Sequence, residues 1–291
     1  MSGPDALFNV HNNFYLGAYQ MAITEASSAN NLAGNDAADR DCYLYRSYIA
    51  LGSYQLAMSE ITDDAPTSLQ AVKLLATYLS DDSKKEKVMS TMQEWLADPS
   101  CSSNITLLLM ASILYSNEGN DVEALKCCHS ASSLELMALS IQIFLKMNRA
   151  DCAEKQLKAM MNIDDDATLT QLAQAWTNIA MGGSKIQEAF YIFQELGDKY
   201  QWTVKLYNGS AVCNMQMGNY EEAERELLEA LNKDSKDAET LANLAVLSLH
   251  LGKPNTRYLN SLKMVSPNHA LLAKLESCAG AFDRAAADFT V

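Results

Sequence analysis

Breakers and cations are both scarce in this chain of 291 residues. Its five prolines, Pro4, Pro66, Pro99, Pro254 and Pro267, leave long intervals free of the residue that removes a backbone donor and interrupts a helix. Lys and Arg total 22 against 36 Asp and Glu, a net charge of −14. Such a surface repels phosphate backbones and anionic headgroups, which argues against nucleic-acid binding and against a basic amphipathic anchor. The opening MSGPDALFNV has neither a basic stretch nor an apolar one, so no signal peptide is expected. The most apolar run, Ile105 to Tyr115, is too short for a bilayer. These absences predict a soluble, cytoplasmic protein. Apolar residues make up 48%, too many for a disordered chain.

Residues for chemistry are equally sparse. The four histidines, His11, His129, His250 and His269, are scattered, and none has a partner at metal-ligand spacing. The seven cysteines are odd in number and form no CxxC pair, so they read as buried small hydrophobes in a reducing compartment. The sequons at Asn104 and Asn208 read as parts of helices. Asp164-Asp165-Asp166 lacks the alternating ligands and terminal Glu of a calcium loop and suits a helix N-terminus. Gly182-Gly183-Ser184-Lys185 lacks the first glycine and the spacing of a phosphate loop, and reads as a turn between helices. No nucleophile elbow and no paired carboxylates are found. No catalytic, cofactor-binding or metal residue is expected, and the chain does not read as an enzyme.

What is present is a repeat. A small turn residue, then an aromatic or apolar residue, and an alanine five after the first recur in GAYQMA (Gly17–Ala22), GSYQLA (Gly52–Ala57), GNDVEA (Gly119–Ala124), GNYEEA (Gly218–Ala223) and GAFDRA (Gly280–Ala285). Ala22 and Ala57 lie 35 residues apart, and Ala189 and Ala223 lie 34 apart. A period near 34 with two helices per unit is the tetratricopeptide signature. Each unit is a hairpin of helix A and helix B. Glycine ends helix A because the position after it favours the left-handed conformation. The alanine marks the close A–B crossing, where a larger side chain would overpack. Hairpins are predicted near 6–30, 38–63, 104–132, 134–162, 168–198, 204–233 and 238–264, with a divergent unit over about 66–97 closed by Trp95 and an atypical terminal unit over about 267–291. Asn30–Asp39 and Asp98–Asn104 read as loops. The expected fold is all-α, a single tetratricopeptide-like α-solenoid over 1–291, a right-handed superhelix of about eight to nine hairpins.

In that architecture positions 5, 9 and 12 of each A helix face the concave side. Here they include Phe14, Ile49, Leu109, Ile113, Leu145, Met181, Val212, Met215, Val246 and Leu249, with Asn178, Asn208 and Gln142 as polar neighbours. Two readings stay open. The row forms an apolar partner-binding groove, or the superhelix curls tightly and the row is inner core. The position-5 residues Leu7, Cys42, Leu109, Ala138, Gln174, Asn208 and Ala242 include no Lys or Arg. A clamp for acidic peptide tails is therefore missing.

Beyond the generic repeat, four segments carry a specific likeness: DDDATLTQLAQAWTNIAMGGSKIQEAFYIFQEL (Asp164–Leu196), Leu206–Pro254, FNVHNNFYLGAYQMAITEA (Phe8–Ala26) and RYLNSLK (Arg257–Lys263). Over essentially its whole length the chain resembles the epsilon subunits of coatomer, the COPI vesicle coat. The resemblance implies a non-catalytic scaffold subunit with no cofactor. It implies that the repeats curl round a projecting segment of the C-terminal domain of the alpha coatomer subunit, with other coatomer subunits reached through alpha. It implies a cytoplasmic protein, peripheral on Golgi and COPI vesicle membranes and touching membrane only through the assembled coat, in Golgi-to-ER retrograde and intra-Golgi transport. The runner-up is a cytosolic adaptor of the same fold in another multiprotein assembly.

Overall fold

The computed structural model describes residues 6–29, 32 and 34–289. Among them are seventeen α-helices and no strand. Their order is α1 (Phe8–Leu16), α2 (Tyr19–Ser28), α3 (Asn35–Ala50), α4 (Tyr54–Glu60), α5 (Thr67–Ser80), α6 (Lys85–Ala97), α7 (Ile105–Asn117), α8 (Asp121–His129) and α9 (Leu134–Lys146). Then follow α10 (Ala150–Met161), α11 (Thr168–Met181), α12 (Lys185–Lys199), α13 (Val204–Met217), α14 (Tyr220–Lys233), α15 (Ala238–His250), α16 (Thr256–Val265) and α17 (Ala270–Asp288). A 3₁₀ turn, Asp82–Lys84, leads into α6.

Each boundary has a local cause. Gly17 and Gly218 end α1 and α13 in the left-handed conformation, at φ 84° and 82°, where a side chain would be strained. Pro66 precedes α5, where its fixed φ suits the approach to a first turn. Side-chain oxygens of Asn104, Thr203 and Asp237 accept from the backbone N–H of Leu107, Leu206 and Thr240, satisfying donors that the helix leaves unpaired. Asp164 instead closes the turn before α11, accepting from the N–H groups of Asp166 and Ala167, so the acidic run leads into a helix start. Asn104→Ala should cost about 1 kcal/mol, seen as a lower urea midpoint with an unchanged slope.

The alanine rule holds in space. Ala22, Ala57, Ala124, Ala153, Ala189 and Ala223 are all fully buried. The segment over 66–97 is a helix pair, α5 and α6, with Trp95 in the last turn of the second. Two sequence expectations are corrected. Asn30–Asp39 is not a loop throughout, because α3 already begins at Asn35; residues 30, 31 and 33 lie outside the described residues. The terminal unit is one continuous helix, α17, with no turn at Gly280.

The chain divides into two compact units, Met1–Met181 and Gly182–Val291, at the Gly182–Gly183 turn. The first holds five hairpins and α11. Its core runs from Cys42 and Ile49 through Val72, Met92, Leu107 and Met110 to Ile143. A second cluster gathers Met137, Ile141, Leu157, Met160 and Leu169. Within this unit α1 packs against α11, about 150 residues away in sequence, besides its neighbours α2 and α3. The row of A helices therefore curves until its first and last members touch. The second unit stacks α12 on α13, then α14, α15 and α16. Phe193 fills the crossing of α12 on α13, pressed against the bare backbone of Gly209, where an added Cβ would stand 2.5 Å from the ring.

Candidate protein-binding surface

The concave-side positions separate by burial. Ile49 and Leu109 belong to its core. Phe14 packs edge-on against Tyr43 at 5.2 Å between ring centroids. Ile49 and Leu109 are thus inner core, while Phe14 is half-buried beside them. The closure is polar as well as apolar. The Arg46 guanidinium, on α3, makes a two-pronged pair with Glu135 on α9, at 2.7 and 3.2 Å. It also lies over the Phe14 and Tyr43 rings, 4.5 and 4.7 Å from their centroids. Beside it the Tyr15 and Tyr43 hydroxyls are 2.6 Å apart, and Thr168 Oγ1 on α11 donates to Asn12 Oδ1 on α1 at 2.6 Å. Burial pushes the Tyr43 hydroxyl well above its usual range, and Glu135 adds to the shift. Both tyrosines therefore stay neutral and serve the network as hydroxyls.

Ile113 and Leu145 are half-buried. Ile113, Leu139, Gln142 and Lys146 line a hollow of about 310 Å³ between α7 and α9. Lys146 Nζ crosses it to the Ser116 carbonyl and the Asp121 carboxylate, at 2.7 and 2.8 Å. Asn178 is buried and Met181 is 44% exposed at the end of α11.

In the second unit Val212 and Met215 on α13 and Val246 on α15 are half-buried, and Leu249 is 65% exposed. Asn208 lies beneath them. Its Nδ2 donates to Thr240 Oγ1 at 2.7 Å and its Oδ1 accepts from Asn243 Nδ2 at 2.9 Å. Those bonds hold α13 to α15, so Asn208 works as a brace. Below the same helix Glu226 accepts from Ser210 and Asn214 at 2.7 and 3.0 Å, and burial raises its carboxyl above the usual range.

Sequence reasoning missed Arg46, Glu135 and Lys146. Arg46 carried a signal: it stands four residues after Cys42 on the face that ends in Ile49, a cation on an otherwise apolar stripe. Nothing in the sequence pointed to Glu135 as its partner, 89 residues on.

Among the described residues no group of three or more His, Cys, Asp or Glu side chains is arranged to hold a metal, and no helix is long and apolar enough to cross a membrane. Two solved structures share the fold at 16% identity. Cut9 in the APC/C Cut9–Hcn1 assembly superposes with a TM-score of 0.61 over 91% of this chain and 53% of that one. A tetratricopeptide repeat protein from Parabacteroides merdae gives 0.60 over 89% and 97%. At that identity they speak for the helical-repeat fold alone. Closer likenesses come from sequence. The chain is 56% identical to coatomer subunit epsilon-1 of Arabidopsis thaliana, over 99% of both chains. It is 37% identical to coatomer subunit epsilon of Dictyostelium discoideum, over 91% of this chain and 92% of that one. The family model described as the coatomer epsilon subunit matches residues 3–290. With a helical-repeat fold, alanine-sealed crossings and relatives aligned from end to end, the chain belongs to the coatomer epsilon subunit family and is a subunit of the COPI coat.

Proposed function

We propose that this subunit is a non-catalytic scaffold that holds the C-terminal domain of the alpha coatomer subunit on apolar A-helix positions. Through alpha it joins the other coatomer subunits, and it serves Golgi-to-ER retrograde and intra-Golgi transport as a peripheral component of the coat. The observation that carries this reading is the open row Val212, Met215, Val246 and Leu249 on two adjacent A helices. Uncharged side chains there favour an apolar partner surface over an acidic tail. In the first unit Ile113, Leu145 and the hollow beside Gln142 offer a second patch of the same character, and Met181 extends the apolar positions at the end of α11.

The test is co-expression with the alpha C-terminal domain and size exclusion at high salt. A one-to-one complex that survives salt is expected, because apolar burial is not screened. Val212→Asp with Val246→Asp should weaken that complex about 100-fold, near 3 kcal/mol, with helicity unchanged by circular dichroism. Unchanged affinity would move the site off this row.

A further inference from the structure

The last copy of the repeat motif differs from the others in one respect: it has not turned. In the copies that begin at Gly17, Gly52, Gly119 and Gly218, the glycine takes φ between 75° and 84° and the chain reverses there. The alanine five residues on, Ala22, Ala57, Ala124 or Ala223, is fully buried. The residue nine on, Ala26, Ile61, Cys128 or Leu227, is at most 3% exposed. Gly280 opens the same motif, with Phe282 where Tyr19, Tyr54 and Tyr220 stand. Yet Gly280 lies inside α17, Ala285 is exposed, and Phe289, nine residues on, is 75% exposed. Phe282 is 72% and Leu275 45% exposed.

We propose that α17 is the opened form of a ninth hairpin, hinged at Gly280, and that its bare apolar stripe is the seat for its own residues 281–289. Three features support this. Leu275, Cys278, Phe282, Ala285 and Phe289 follow one another at alternating steps of three and four, so they share one face of the helix, which begins at Leu271 where it already packs on Leu241 and Leu262. Folding at Gly280 lays the second half of that face on the first. The halves of α17 on either side of the glycine, residues 270–279 and 281–288, are each within two residues of the lengths of α1 and α2, which are 9 and 10 residues. The charges also agree: reversal about Gly280 brings Arg284 level with Glu276, and Asp288 within two residues of the level of Lys274. A glycine inside a helix weakens it, whereas at a left-handed helix end it is favoured. Closed, the hairpin covers the apolar stripe of its own first half. Open, the array ends on a row of aromatic and aliphatic side chains.

Cross-linking the full chain with a carbodiimide, which joins an amine to a carboxylate without a spacer, tests this at native residues. Along a straight helix Lys274 and Asp288 are about 21 Å apart, beyond the reach of the two side chains. In a hairpin their helices lie about 8–10 Å apart. A Lys274–Asp288 cross-linked peptide is expected from the monomer band. Its yield should fall at least tenfold in Gly280→Ala. That variant folds as the straight helix, since a Cβ at 280 meets only the Arg284 guanidinium, at an ordinary 3.5 Å. No such peptide from the wild type, or an equal yield from Gly280→Ala, overturns the proposal. So does a cross-link confined to the dimer band, which would seat a second copy on the stripe.

Discussion

Arg46→Ala will be among the most destabilising single substitutions in the first unit, at about 3–5 kcal/mol. The change removes both hydrogen bonds to Glu135 and leaves that carboxylate enclosed with no cation beside it. It also strips the guanidinium from the Phe14 and Tyr43 rings. For a unit of this size the loss corresponds to a fall in Tm on the order of 10 °C, measurable by scanning calorimetry. The control is the double variant Arg46→Met with Glu135→Leu. An apolar pair of similar bulk needs no counter-charge, so it should recover most of the loss. If Arg46→Ala alone leaves Tm within a degree of the parent, the pair does not close the unit.

The second large effect is expected in the other unit. Phe193→Ala should cost about 3–5 kcal/mol, since Phe193 is among the largest fully enclosed side chains and nothing nearby can collapse into its place. Its partner is an absence, the missing side chain of Gly209. Gly209→Ala in the parent chain pushes a methyl group into the ring and should cost about 1–3 kcal/mol. In the Phe193→Ala background the same methyl enters the vacated space and should be neutral or stabilising. Urea unfolding of the four proteins gives the coupling directly, and simple additivity would mean that the two positions do not meet.

Much of the architecture was legible because its causes are local. The glycine that ends helix A and the alanine that seals the crossing act within one hairpin, and both recur in the text of the sequence. Helix borders fall within a few residues of expectation for the same reason. At Asn35 the helix starts early in an Asn- and Asp-rich stretch, where those residues serve the first turn of α3. Curvature was not legible. It accumulates from small angles between successive hairpins, and no residue pattern records the sum. Hence the concave-side positions could be named but not sorted. Ile49 and Leu109 became core of the first unit, whereas Val212 and Val246 stayed half-buried and Leu249 open. Asn208 read as a polar neighbour of the row, yet Thr240 and Asn243, more than thirty residues later, hold it between α13 and α15.

The meeting of α1 with α11 also bears on how such a chain can change over evolutionary time. An open repeat array lengthens or shortens by whole hairpins, since each copy touches only the next and a duplication merely adds one. The first unit has given up that freedom. One inserted or deleted hairpin between α3 and α9 would carry Arg46 away from Glu135 and Asn12 away from Thr168 together. Its number of repeats is tied to its circumference, so variation there enters by substitution within copies rather than by gain or loss of whole copies.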